Sequence, residues 1–388
     1  MPKAVIVDAV RTAIGKRGGA LRNTHPVDLG AAVLKGLIDR NGLDPALVDD
    51  ILFGCVVQAG EQSSNIARWS ALAAGLPESV PGTTIDRACG SSQQAIVFAI
   101  ASVQAGHYDI AVAGGVESMT RVPMGSNRIN GPGKAFGPTI FEKYGRESFS
   151  QGEGAEILAR KWNLSRTELD QIALDSHARA QAATLNGEFA DHIIPVTGTD
   201  EDGHDFVFDT DQGIRLGGTL ESLAKLSPAF IEDGVITAGN SSQISDGAAA
   251  LLIMSEEKAK QLGYTPIASL HTTSLAGVDP ITMLDAPIPA TQKALKTSGL
   301  DAKDIGVFEV NEAFASVPAA WMKETGVSWE KVNPNGGAIA LGHPLGGSGA
   351  RIMTDLIHNM RKSNIKYGLQ TMCEAGGQAN ASILELAE

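Results

Sequence analysis

The chain has 388 residues, of which 43% are hydrophobic and 19% charged, and its formal net charge is −13. That length supports two core-forming domains, or one large core carrying an insertion, and the apolar content excludes a disordered chain. The acidic balance argues against nucleic acid or an anionic membrane as partner, since both demand a basic surface, but leaves room for one phosphorylated small molecule held by a local cationic patch.

The start of the chain, Met1 to Arg17, has too short an apolar run for a secretory signal, and no stretch reaches the roughly 20 apolar residues that span a bilayer. The expectation is a cytoplasmic protein with no membrane partner. Ala4 to Asp8 reads as a short buried strand, followed by an apolar-periodic helix from about Val27 to Asp39 and a second buried strand from Ile51 to Val57. A helix from about Asn65 to Ala74 is stopped by Gly75 and Pro77, and Gln93 to Gln104 forms a nearly all-apolar helix closed by Gly106. Tyr108 to Ala113 is a strand expected to end in Gly114-Gly115. Strands alternating with helices imply an α/β layer architecture.

The texture then changes. Arg121 to Pro138 is rich in Gly, Pro and Asn, Arg166 to Leu185 is an amphipathic helix, and Gly198 to Asp211 looks like surface strand and turn. Residues 119–243 read as an insertion. Buried strand returns at Gly247 to Met254, and the closing portion repeats the opening order: strand near Ile267 to His271, helix near Thr291 to Ser298, strand Val307 to Val310. A glycine loop at 342–349, a helix from Ala350 to Met360, a strand from Tyr367 to Met372 and a terminal Gly376-Gly377 follow. Asp50-Ile-Leu-Phe53 is echoed by Asp304-Ile-Gly-Val-Phe308, and Ala113-Gly-Gly115 by Ala375-Gly-Gly377. The expected organisation is therefore one half built from 1–118 plus about 244–265, the insertion at 119–243, and a second, similar half at 266–388.

The three cysteines, Cys55, Cys89 and Cys373, are far apart and form no CxxC pair, so neither a disulfide scaffold nor a zinc site is indicated. Cys89 lies in Asp86-Arg-Ala-Cys-Gly-Ser-Ser-Gln-Gln-Ala95, on a glycine turn before an apolar helix. There the helix dipole and unpaired N–H groups stabilise a thiolate and can hold an oxyanion, although a buried core cysteine at a tight turn fits the same pattern. His343 lies in Gly336-Gly-Ala-Ile-Ala-Leu-Gly-His-Pro-Leu-Gly-Gly-Ser-Gly349, a loop able to bring backbone and imidazole close to a ligand. It matches neither phosphate-loop pattern, and a plain solvent histidine is the alternative. Cys373 closes a buried strand, either as a thiol acid/base or as a core residue. Asn311, in Asn311-Glu-Ala-Phe-Ala315, follows another buried strand, as a site residue or as a helix N-cap.

These segments, together with Thr237-Ala-Gly-Asn-Ser-Ser-Gln-Ile-Ser-Asp-Gly-Ala248, occur in one order across essentially the whole chain, and in this the sequence resembles the thiolase family. The resemblance implies two similar α/β halves forming a five-layered α-β-α-β-α core with an inserted loop domain that binds coenzyme A. It implies Cys89 as the nucleophile that takes an acyl group from a 3-ketoacyl-CoA, His343 as its activator, and Cys373 as the second, proton-shuttling thiol. Asn311 would hold a water at one oxyanion hole, and the backbone N–H groups of Cys89 and Ala375 would form the other. Arg215, Ser222 and Ser242 fall where family members meet the CoA nucleotide, pantetheine or their surroundings, and Met283 and Phe314 would line the acyl and pantetheine path. No tightly bound cofactor is implied, with CoA and acyl-CoA as substrates and a homo-oligomer, dimer or tetramer, as the assembly.

The sequence departs from common family patterns at several points. Ala375 replaces a frequent glycine, Ser92 another, and Glu374 places a carboxyl beside the second thiol. Ser150-Gln151 stand about where short-chain biosynthetic members carry His-Met, which favours a degradative 3-ketoacyl-CoA thiolase over an acetyl-CoA C-acetyltransferase. A decarboxylating ketosynthase shares the fold but usually has histidine or asparagine where this chain has Cys373. A nicotinamide-dependent Rossmann enzyme fails for want of a glycine fingerprint after the first strand.

Overall fold

A computed structural model describes residues 2–129 and 131–387. The first half opens with strand β1 (Ala4–Thr12), every residue of which is buried, and helix α1 (Pro26–Asn41), started by His25 and Pro26 and stopped by a left-handed Gly42. It continues through β2 (Asp50–Gly54), α2 (Ile66–Ala73), β3 (Gly82–Ile85), α3 (Ser91–Gln104) and β4 (Ile110–Ser118). The inserted stretch contributes α4 (Gln151–Lys161), α5 (Arg166–Leu185) and a surface hairpin of β5 (Val196–Thr199) and β6 (Asp205–Phe208). The chain returns with β7 (Ser245–Ser255). The second half comprises β8 (Ala268–Gly277), α6 (Pro287–Ser298), β9 (Val307–Val310), α7 (Ser316–Thr325), α8 (Ser348–Ser363), β10 (Tyr367–Glu374) and β11 (Gln378–Leu386).

The strand pairing carries the internal repeat. In the first half the order is β3-β2-β4-β7-β1, with β2–β4 parallel and β4–β7 and β7–β1 antiparallel. In the second half the order is β9-β10-β11-β8, again parallel, antiparallel, antiparallel. A parallel bridge from Phe308 to Val332 stands where β3 flanks β2 in the first half. The two sheets join where Ile6 of β1 pairs with Ala268 of β8.

Burial then stacks the layers. α1 and α2 cover one face of the first sheet through Leu29, Val33, Leu34 and Leu37. α3 and α8 pack together between the two sheets through Ile96, Ile100, Met353 and Leu356, while α6 and α7 cover the outer face of the second. The result is a five-layered α-β-α-β-α core. The insertion falls between β4 and β7, at the point where the second half turns directly from β10 into β11.

Several sequence-derived boundaries move. Gly114-Gly115 does not end its strand: both residues pair within β4, opposite Ala250 and Ala249, and the strand runs on to Ser118. The second buried strand stops at Gly54 rather than Val57, because the backbone of Val56 and Val57 turns aside to donate to Glu117. Gly376-Gly377 is not the last feature, since β11 follows it and pairs with both β10 and β8. Short β3 has no counterpart among the expected strands. Among the described residues no helix is long and apolar enough to cross a membrane.

Candidate active site

The site forms at the carboxyl ends of the parallel strands, where the central helices α3 and α8 begin. This is the place in α/β sheets where connecting chains diverge and leave a crevice. After β3 the chain winds into a tight turn in which Gly90 N–H donates to Arg87 O and Ser91 N–H to Ala88 O, both at 3.1 Å. The Ser91 hydroxyl donates to Ala88 O at 2.6 Å and accepts from Arg87 N–H at 2.9 Å. Ala88 is thereby held at φ 46°, a left-handed conformation costly for a residue with a β-carbon, and Cys89 follows it at the mouth of α3.

Cys89 is 3% exposed and packs against Leu345, Met119 and Met372. Burial pushes its thiol up to about 12. Against that act the Gln151 amide, whose Nε2 lies 3.9 Å from the sulfur, and the backbone N–H groups of Cys89 itself and of Ala375. The thiol is therefore protonated at rest and needs a base, while two N–H groups already converge on it. Cys373, fully buried at the end of β10, is raised by burial and then by the neighbouring Cys89 sulfur, so the two thiols sense each other.

His343 stands on the equivalent approach to α8. His343 is 4% exposed, and burial followed by the Arg351 charge lowers it to about 3, so it is neutral. Its Nδ1 lies 2.6 Å from Ser348 Oγ, and that hydroxyl donates to Pro344 O at 2.9 Å. Ser348 therefore accepts from Nδ1–H, and Nε2 is left as the basic nitrogen. Asn311 Nδ2 lies 3.4 Å from Nε2. Asn311 itself extends the β9–β10 ladder, its N–H donating to Thr371 O at 3.1 Å, which sets it at the end of β10 that carries Cys373. The two helix mouths touch: Ala350 N–H donates to Ser92 Oγ at 2.9 Å, so the serine that departs from the common glycine ties α3 to α8.

The sequence-derived residues thus divide into groups. Cys89, Cys373, His343 and Asn311 are buried at one place, with the N–H of Ala375 among them. Met283 and Phe314 lie in the same apolar cluster as Cys373, and Phe314 meets Phe230 edge to face at 5.7 Å. Ser242 adjoins them, its N–H donating to Ala313 O at 2.9 Å. Arg215 and Ser222 are exposed on the insertion, and their hydrogen bonds run to His177 and Thr219 rather than to the buried group.

Supporting residues absent from the sequence-derived set emerge as well. Glu117 is buried and receives N–H bonds from Val56, Val57 and Gly346 and the Gln62 amide, all within 3.0 Å, so one carboxyl joins the His343 loop to the first half. Glu312 does the same for Asn311, binding Ser176, Asn333 and the Ile339 N–H. A Glu closing an apolar strand, as in Val116-Glu117 and Val310-Asn311-Glu312, is the signal that marks both. The grouping Asp200, Asp202 and His204, the candidate metal ligands among the described residues, lies on the exposed β5–β6 turn, remote in chemistry from the thiols.

An enclosed thiol, a neutral imidazole and converging N–H donors equip a protein for acyl transfer through sulfur. Residues 4–257 match the family model for the thiolase N-terminal domain and residues 264–386 that for the thiolase C-terminal domain. The chain belongs to the thiolase family and is an acyltransferase. It is 50% identical to a steroid 3-ketoacyl-CoA thiolase of Mycobacterium tuberculosis, over 99% of this chain and 94% of that one. It is 46% identical to a 3-ketoacyl-CoA thiolase of Pseudoalteromonas translucida, over 99% of each. The crystal structure of the Bacillus anthracis acetyl-CoA acetyltransferase superposes with a TM-score of 0.91 at 40% identity, covering 100% of this chain and 99% of that one.

Proposed function

We propose that the enzyme cleaves 3-ketoacyl-CoA with free CoA, yielding acetyl-CoA and a shortened acyl-CoA, and that it serves degradation. The observation that carries this reading is the burial of two thiols in mutual electrostatic reach, one of them under two N–H donors. His343 Nε2 takes the Cys89 proton, and the thiolate attacks the keto carbon. The bond to the adjacent carbon breaks, and Cys373 protonates that carbon as acetyl-CoA leaves. The acyl group stays on Cys89. Free CoA then gives its thiol proton to the Cys373 thiolate and attacks the acyl carbon, releasing acyl-CoA as the departing Cys89 thiolate takes its proton back from His343. The N–H groups of Cys89 and Ala375 stabilise the oxyanion on the acyl carbon, while His343 and an Asn311-held water serve the thioester oxygen.

In this reading Met283, Phe314 and Ser242 flank the acyl and pantetheine path, and the exposed Arg215 and Ser222 meet the nucleotide end of CoA. The enzyme works in the cytoplasm without a tightly bound cofactor. A homo-oligomer is supported by the open edge of β3, beside which Trp69 of α2 and Phe98 of α3 are 50% and 44% exposed. The degradative direction rests on the names of the two 3-ketoacyl-CoA thiolase relatives and on Gln151 at the Cys89 sulfur. The likeness to the Bacillus anthracis enzyme supports the second reading, condensation of two acetyl-CoA molecules.

Acetyl-CoA is expected to leave one acetyl group on the Cys89 peptide, seen by mass spectrometry, and Cys89→Ala to abolish it. Label on Cys373 instead overturns the assignment. Cys373→Ala is expected to lower thiolysis about 10²- to 10⁴-fold while Cys89 still takes label. Rates over a ladder of 3-ketoacyl-CoA chain lengths separate the readings, since a preference for acetoacetyl-CoA alone favours the acetyltransferase.

A further inference from the structure

Glu374 closes β10 immediately after Cys373 and is fully buried, yet neither of its carboxyl oxygens has a hydrogen-bond partner among the described residues. The carboxyl lies against Gly90, the residue after Cys89: a β-carbon at Gly90 would collide with Glu374 Oε1 and meet the Asn380 amide. Asn380 Nδ2 donates to Gly90 O at 3.3 Å, while its Oδ1 is unpartnered. Arg87, on the turn before α3, spends Nη1 on Gln378 Oε1 at 3.4 Å and makes no hydrogen bond to Glu374. A buried carboxylate without donors is strongly disfavoured, whereas the neutral acid needs only one acceptor, and Asn380 Oδ1 is likewise unpartnered.

We propose that Glu374 is a positioning residue of the thiolase reaction: as a neutral acid it fills the space over Gly90 and lets Cys89 and Cys373 ionise, and its own ionisation withdraws both thiols. This rests on the reading of those two cysteines as the reacting groups.

The surroundings of the carboxyl set the direction. From its own strand it faces Cys373, from the turn before α3 it faces Arg87 and Cys89, and from β11 it faces the uncharged Gln378 and Asn380. Burial pushes the carboxyl up to about 8, with Arg87 acting the other way. Once charged, Glu374 raises both thiols. Below about pH 8 the group is neutral and adds nothing to the burial that already holds both thiols up. Above it, a negative charge appears beside them and opposes the gain in thiolate that rising pH would bring.

The test is the rate at which iodoacetamide alkylates Cys89 in the full-length enzyme between pH 6.5 and 10, with peptide mass spectrometry separating the three cysteines. In the wild type the rate should rise and then flatten near pH 8. In Glu374→Gln the flattening should vanish, leaving Cys89 about fivefold to tenfold faster than wild type at pH 9.5 and within about twofold at pH 6.5. Glu374→Met, which is also neutral, should behave as Gln does. A Gln or Met profile that superimposes on the wild type overturns the proposal. So does a single uninterrupted rise in the wild type, a measurement that stands even where neither variant folds. If wild-type Cys89 takes no label at any pH, the reading of Cys89 as nucleophile falls, and this proposal with it.

Discussion

A hydroxyl that gives its proton to one neighbour can only accept from the other, and Ser348 gives its proton to the Pro344 carbonyl. His343 must therefore carry its proton on Nδ1 and keep Nε2 as an acceptor, toward the Asn311 amide. Replacing Ser348 by Ala strands that N–H in a buried site and releases the tautomer. The loss of about 1–3 kcal/mol corresponds to a fall of about fivefold to 150-fold in thiolysis kcat, measured against an unchanged far-UV spectrum. The proposed site residues stood out in the sequence because each stands at a break in periodicity (Cys89 before a helix, Asn311 and Cys373 at strand ends, His343 in a glycine loop), and it was the family resemblance that gave them roles. Ser348 did not, because a serine at a helix start reads as a cap, and only the folded loop shows what its oxygen touches.

At the scale of elements, the contact between α3 and α8 is made close by glycine. A β-carbon at Gly349 would run into the backbone N of Gln93. Gly349→Ala is expected to destabilise the protein by about 1–3 kcal/mol and, in the proposed mechanism, to slow turnover by shifting Cys89 against the His343 loop. Thermal unfolding and steady-state rates check the two effects. The long apolar helices were legible from their periodicity, whereas β3 and β11 were not. β3 is a four-residue edge strand with two threonines, partly exposed and without alternation. β11 buries Asn380 and Ser382, which read as loop residues until their partners, Gly90 O and Gln93 Nε2, are seen.

Across the whole molecule, one buried ionic cluster ties the insertion to both halves. Arg11 of β1 grips Asp211 with two hydrogen bonds of 2.9 and 3.0 Å and reaches Asp355 of α8 at 2.8 Å. His192 and Arg351 complete the shell of Asp355. Burial alone would raise Asp355, but Arg11, the His192 hydrogen bond and Arg351 overcome it and hold the carboxyl well below the usual range. Arg11→Met takes the cation from buried Asp211 and one of the two cations from Asp355, and should cost about 3–5 kcal/mol in urea unfolding. Acid should destabilise the fold as well. Burial lowers His343 to about 3 and His358 to about 4, so as pH falls below the ordinary value of 6.5 the unfolded chain takes protons that the native one refuses. The histidines therefore lower stability between pH 6.5 and 4, while Glu374, protonated in the native state before the unfolded one, pulls the other way. Glu374→Gln is accordingly expected to lower the urea midpoint at pH 5 relative to pH 7 by more than the wild type shows. Asp355 acts in the same sense as the histidines at more acid pH, its contribution being present above its unfolded value and lost below it.

In the proposed mechanism the repeat described above also divides ownership of the chemistry. The first half holds Cys89 and the second holds His343, Asn311 and Cys373, so each half is an incomplete instrument. A gene severed at the exposed joint near Gly263 would yield two polypeptides, each inert by itself. Produced in one cell, the pair should reassemble and regain thiolysis, and the returning activity would report on the docking of one half against the other.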